Sequence, residues 1–169
     1  MYPQSYILFL SYFHGNRDYF ECHEVLEEYW KSKDGNKDPV WVGLIQTAVG
    51  FYHYRRGNLT GAAKVLRKSR KILKEQSHSV QKLGLDIELY LKLLSKEIER
   101  VEQCLPYSSV DLPIIDPILL SECEKECEQH DWIFGNKEVV DKYLIHKHKL
   151  RDRTEVIEAR NDSIKRKNK

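Results

Sequence analysis

With 169 residues, 28 basic and 26 acidic side chains, the chain holds one domain's worth of sequence and a formal charge of only +2. That balance excludes a general electrostatic pull toward nucleic acid or acidic lipid, so any such binding needs a local patch. A hydrophobic fraction of 41%, a charged fraction of 32% and a mean hydropathy of −0.61 exclude a membrane-inserted chain and supply enough apolar mass for a core without staples.

The first helix is predicted from Tyr6, Ile7, Phe9, Leu10 and Phe13, and ends at Gly15-Asn16. Its surroundings show no basic leader and no cleavage site, so no signal peptide is expected. Asp18 followed by Glu21 is an Asp variant of the capping box and starts a second helix that runs to about Ser32. SKDGNKDP is a turn-forming linker, and Pro39 suits the first turn of a third helix. That helix, PVWVGLIQTAVGFYHY, runs to Tyr54 without a single Lys, Arg, Asp or Glu. A helix apolar all round belongs inside a globular domain, and this one is shorter than the ~20 residues of a membrane span.

Gly57 ends it, and Asn58 caps a helix with Leu59, Ala62, Ala63, Leu66, Ile72 and Leu73 on one side and a basic outer face. QSHSVQ reads as a break. Leu83, Ile87, Tyr90, Leu94, Ile98, Val101 and Leu105 then mark the clearest amphipathic helix of the chain. Pro106 ends a core domain set at residues 1–105. Residues 106–169 form an extension: PYSSVDLPIIDP as an extended connection or edge strand, ILLSECEKECEQH as a short helix, WIFGN as a turn, and a long polar helix from Lys137 to Lys167. The expected fold is therefore all-α, a compact bundle or array of about five helices with a C-terminal helical extension. The small residues Gly61, Ala62 and Ala63 after a Gly-Asn turn are similar to tetratricopeptide-like hairpins, a likeness of architecture that suits a docking surface.

Candidate chemistry lies on the second and third helices. A helical wheel puts Tyr19, Cys22, Leu26, Tyr29 and Trp30 on one face with His23 and Glu27 beside it, and turns Glu21, Glu24 and Glu28 toward solvent. Antiparallel packing of consecutive helices sets Glu27 and His23 opposite Gln46 and His53. Three readings of His23, Glu27, Gln46 and His53 follow. The favoured one is a buried hydrogen-bond network that fixes helix register, because a slipped helix would strand polar groups at roughly 1–3 kcal/mol each. A second is a divalent metal held by His23, Glu27 and His53, with Glu27 the catalytic group of a metal-dependent hydrolase. A third is a ligand pocket lined by Trp30, Trp41 and Tyr52.

The blocks YFHGNRDYFECHEVLEEYW and GLIQTAVGFYHYRRGNLTGA, with their spacing, resemble the family catalogued as domain of unknown function 309, over roughly Phe13 to Ala63. The family pattern falls on His23, Glu24, Glu27, Trp30, Gln46, His53, Gly57, Asn58, Gly61 and Ala62. Cys22 stands where a small residue such as alanine is expected. The resemblance implies an all-helical fold and no established activity.

Cys22, Cys104, Cys123 and Cys127 lie in helical patterns outside any disulfide spacing, which predicts reduced thiols and a cytoplasmic protein. Cys123, Cys127 and His130 form C-x3-C-x2-H, a spacing that zinc sites seldom use, and read as small buried thiols on a helix. The basic stretch from His146 to Lys169 is interrupted by acids and carries no aromatic residue to stack on bases, so it reads as a solvated helix, with nucleic-acid binding as the alternative. The pattern as a whole favours a non-enzymatic binding or scaffold module with a protein partner or a second copy of itself, no membrane and no cofactor. The metal-dependent hydrolase is the enzyme alternative.

Overall fold

The computed structural model describes residues 1–138 and 141–150, together with Lys165. Its helices are α1 Gln4–Ser11, α2 Tyr19–Lys31, α3 Pro39–Arg55, α4 Leu59–Glu75, α5 Ser77–Lys82, α6 Ile87–Glu102, α7 Pro117–Gln129, α8 Lys142–Ile145 and α9 Lys147–Leu150. A π-helical turn, Tyr12–Asn16, extends α1. No strand occurs among the described residues, so the fold is all-α, and none of these helices is long and apolar enough to cross a membrane.

Helix α3, without a charge from Pro39 to Tyr54, lies at the centre, packed on one side by α2 and on the other by α4; α1 lies on α2, α7 on α1, and α6 on α4. Its close approach to α4 depends on two glycines. A Cβ at Gly50 would stand 2.4 Å from Leu66 Cδ2, and one at Gly43 would stand 2.7 Å from Leu73 Cδ2. Between these contacts a hydroxyl cluster bridges three helices. Thr47 Oγ1 lies 2.7 Å from Ser69 Oγ and 2.8 Å from the Tyr90 hydroxyl, and Ser69 donates to the Gly43 carbonyl at 2.8 Å. All three side chains are fully buried, so every bond made inside spares the cost of an unpaired polar group.

Acidic and amide side chains set the starts of the helices. Asp18, Asp38, Asn58, Asp86 and Asp116 each accept a backbone N–H of the first turn, which stabilises a helix by about 1 kcal/mol per cap. The Asp18 cap is half of the expected box. Asn16 rather than Glu21 receives the Asp18 N–H, which frees the Glu21 carboxylate for another partner.

Several expectations need correction. QSHSVQ is not a break but the short helix α5, and the amphipathic helix starts at Ile87, where Asp86 supplies the cap that Leu83 lacks. The connection after Pro106 forms no edge strand; it makes one isolated antiparallel bridge, Leu85 to Ile114, while Asp86 N–H donates to the Pro113 carbonyl at 2.9 Å. The helix expected to start at Lys137 does not start there: residues 137 and 138 are irregular, α8 begins at Lys142, and His146 separates it from α9; beyond Leu150 only Lys165 is described, so most of the basic C-terminal stretch lies outside the described residues. The boundary set at Leu105 marks a change of conformation within a continuous core. Leu112, Leu119 and Cys123 belong to the same cluster of buried side chains as Tyr6, Leu44 and Leu94.

Candidate functional site

The face of α2 separates as the wheel predicts, with Tyr19, Cys22 and Leu26 fully buried and His23 and Glu27 at the border. His23 Nε2 lies 2.7 Å from Glu27 Oε2, one turn along, and His23 Nδ1 lies 3.3 Å from Glu24 Oε1. Glu24 is therefore half-buried and a neighbour of His23, contrary to its expected place in solvent. Glu27 turns its other oxygen to Lys31 at 2.5 Å; this hydrogen bond, with His23 beside it, holds the carboxyl below its ordinary pKa despite partial burial.

The helix opposite does not complete the expected four-residue cluster. His53 Nδ1 accepts from Asn58 Nδ2 at 3.2 Å, so it serves the turn into α4 and not Glu27. Burial, with Arg56 next to it, lowers the His53 pKa and keeps the ring neutral. Gln46 is half-buried and makes no side-chain hydrogen bond among the described residues. The buried polar side chain that α3 does send inward is Thr47, the next residue along. Gln46, about 100° round the helix from Thr47, does not point at that hydroxyl cluster.

No three His, Cys, Asp or Glu side chains among the described residues are grouped to hold a metal ion; of the three residues of the hydrolase reading, His23 and Glu27 meet, and His53 bonds Asn58 instead. Cys123 and Cys127 face α1, where Cys127 Sγ lies 3.7 Å from the Ser11 carbonyl. Burial pushes these thiols up to about 12 and about 11, far from thiolate chemistry. His130 sits apart, stacked on Trp132 and 3.2 Å from Glu126.

The structure brings His23, Tyr52 and His53 to one place. They line a cleft of about 180 Å³ between α2 and α3, together with Phe20, Val49 and His148. Glu27, Gln46, Trp30 and Trp41 do not line it. Trp41 is core, edge-on to Tyr6 and Tyr29, and the Trp30 indole N–H is buried without a partner among the described residues.

One wall of this cleft comes from the segment carrying α8 and α9. Lys147 Nζ lies 2.8 Å from both Asp18 Oδ2 and Glu21 Oε1, which uses the carboxylate that the capping box left free. Burial works against the charge of Lys147, yet these two carboxylates raise its pKa. Arg56 donates to His148 Nε2 at 2.8 Å, which leaves the Nδ1 proton of His148 to bond the Tyr52 hydroxyl oxygen. Arg55 lies over the Tyr19 ring at 4.5 Å and reaches the carbonyls of Arg17 and Leu144.

Two more residues escaped the sequence reading. His14 is fully buried: its Nδ1–H donates to the Leu10 carbonyl at 2.8 Å, and its Nε2 accepts from the Leu112 N–H at 2.9 Å. Arg17, also fully buried, donates to the carbonyls of Asn136 and Val110 and to Asp111 Oδ1, at 2.9, 2.5 and 2.7 Å. No periodicity marks them, because they lie in the π-turn and the loop after it. The one available signal is an Arg in an apolar-flanked turn next to an N-cap.

Fold and site thus define an all-α protein with a small aromatic and imidazole cleft between two core helices, closed by a polar segment of its own. The family described as "Domain of unknown function (DUF309)" matches residues 6–65, which contain most of α1, all of α2 and α3 and about the first two turns of α4. The chain is also similar, at 44% identity over 171 residues, to the Uncharacterized protein YpuF of Bacillus subtilis (strain 168), with 100% of this chain and 98% of that relative covered. The chain belongs to the domain of unknown function 309 family. No solved structure matches it.

Proposed function

We propose that the chain is a non-enzymatic binding module whose groove between α2 and α3 takes a short cationic helical segment of a protein partner. The observation that carries this reading is the seating of the chain's own Leu144–His148 in that groove through Asp18, Glu21, Tyr52, Arg55 and Arg56. None of residues 141–148 is buried, and none belongs to the core cluster. The attachment therefore rests on one partly buried ion-pair cluster, Lys147 with Asp18 and Glu21, and on hydrogen bonds from Arg55 and Arg56, with no side chain of the segment in the core. A segment held without core burial exchanges with one of the same chemistry. A second copy of this chain offers that chemistry too, which sedimentation of the wild type at rising concentration would read.

The test uses the full chain carrying Lys147→Glu and His148→Ala, which releases the segment and leaves the groove intact. A labelled peptide of residues 141–150 is expected to bind this variant and not the wild type, by fluorescence anisotropy. Adding Asp18→Asn keeps the helix cap but removes its charge, and is expected to weaken the peptide about tenfold, roughly 1.4 kcal/mol. Equal binding to wild type and released variant, or no effect of Asp18→Asn, would overturn the reading.

A further inference from the structure

The net charge of +2 conceals a separation of charge between helices. α4 carries six basic side chains and one acidic one, whereas α2 and α7 each carry four glutamates. α2 and α7 both pack on α1; α4 packs on α3 and α6. The buried stripe of α4 is Ala62, Ala63, Leu66, Ser69 and Leu73, so Lys64, Lys68, Lys71 and Lys74 fall on the opposite face, all exposed.

The two arginines of the helix are engaged. Arg67 pairs with Glu102, and Arg70 Nε donates to Ser95 Oγ at 2.7 Å, which fastens α4 to α6. The four lysines have no ion-pair partner among the described residues. They form a band on one face over roughly 15 Å, at a rise of ~1.5 Å per residue. Along duplex nucleic acid that length spans about four phosphates of one strand.

From this band we propose that α4 is a docking face for the phosphate backbone of duplex nucleic acid, bound without regard to sequence. Charge complementarity selects a polyanion, and what is absent from the face selects which one. None of the large hydrophobic side chains exposed in the described residues lies on α4, so nothing there inserts into a lipid surface. No aromatic ring is present on α4 to stack on the bases of a single strand. Lysine suits such contacts as a flexible point charge, where arginine's planar fork favours fixed bidentate geometry. The glutamates of α2 and α7 repel the same polyanion and leave α4 as the face it meets. This inference is independent of the groove between α2 and α3.

The experiment is anisotropy of a labelled 20-base-pair DNA duplex of arbitrary sequence, with the full chain at several salt concentrations. Binding is expected, weakening about 100-fold between 50 and 200 mM salt, as release of roughly four counterions requires. Lys64→Glu, Lys68→Glu, Lys71→Glu and Lys74→Glu combined should abolish it while the thermal melt stays near wild type, because all four residues are exposed. Arg166→Gln with Lys167→Gln should leave it unchanged, which separates α4 from the basic C-terminal stretch. Absence of duplex binding, retention by the quadruple variant, a preference for oligo-dT, or tighter binding to phosphatidylserine vesicles would each overturn the proposal.

Discussion

His14 joins two parts of the chain through a single ring, and its two hydrogen bonds fix one tautomer: Nδ1 must keep its proton for Leu10, and Nε2 must stay free to accept from Leu112. A second proton would break the bond to Leu112. Burial pushes the His14 pKa down to about 4, and Arg17 adds to that effect against the pull of the Leu10 carbonyl. In the unfolded chain the ring titrates at an ordinary ~6.5. Above that value neither state holds the extra proton, and the stability contributed by the neutral ring is fully present. As pH falls from 6.5 toward 4 the unfolded state gains the proton first, so stability is lost through that window. Between pH 7.5 and 5.0 the loss from this residue is about 2 kcal/mol. Urea unfolding at the two pH values should show it in the wild type. His14→Gln should be less stable at pH 7.5 and flatter with pH; an unchanged pH slope in that variant would sink the assignment. Phe134, stacked on the ring at 4.7 Å, closes the site against water.

At the scale of helices, the approach of α3 to α4 depends on what is missing from Gly43 and Gly50. Gly50→Ala places a methyl 2.4 Å from Leu66 Cδ2, inside any contact that carbon tolerates, and overpacking of this kind costs ~1–3 kcal/mol. Leu66→Ala alone should cost ~2–5 kcal/mol by leaving a cavity. The double variant fills part of that cavity with the new methyl, so its loss should be smaller than the sum of the two; a strictly additive thermodynamic cycle would refute the close contact. This pair also shows what was legible in the sequence. The absence of charge over Pro39 to Tyr54 was enough to predict a buried central helix, and the Asp18, Asn58 and Pro39 signals were enough to place three helix starts. Glycines inside an apolar run carry no sign of the partner they admit. Gln46 and His53 drew notice as the polar residues of that helix, but facing decided the outcome: Thr47 points between the helices, and Gln46, about 100° round, stays at the border. His23 and Glu27 were legible as a pair because one helix sets their spacing. The contribution of His148 to the same cleft was not, because it arrives from 96 residues beyond Tyr52 along a chain with no periodic pattern there.

The described residues are organised in three tiers that differ in how they are held. α1 to α6 share the central core; residues 106–136 join the same core but are also fastened by Arg17; residues 141–148 stay outside the core and are held by ion pairs, hydrogen bonds and the edge-on contact of His148 with Tyr52. Arg17 has φ 58°, a left-handed conformation that costs a non-glycine residue about 1–3 kcal/mol, and the cost persists because the guanidinium bridges three acceptors from two separate loops. Removing it leaves the carbonyls of Val110 and Asn136 without that donor, while Asp111, 41% exposed, regains water. Arg17→Met is therefore expected to cost about 3 kcal/mol, as breaking a buried charged contact does. Asp111→Asn should cost less than that, because the amide oxygen can still accept from Arg17 and the side chain is 41% exposed. The two variants separate by region as well as by size. In native-state hydrogen exchange, amides over residues 110–120 should open about 100-fold more readily in Arg17→Met, the equivalent of that loss, while those of α3 and α4 change less. If the amides of α3 opened by the same factor, Arg17 would be a support of the entire core. If only residues 110–120 opened, the second tier would be a separate unit fastened by one side chain, and its release would also loosen Tyr107 from Tyr19, which lies beneath Arg55 and the groove. The grip of that groove on Leu144–His148 would then depend on Arg17, whose guanidinium lies outside the groove and whose carbonyl accepts from Arg55 at 2.7 Å.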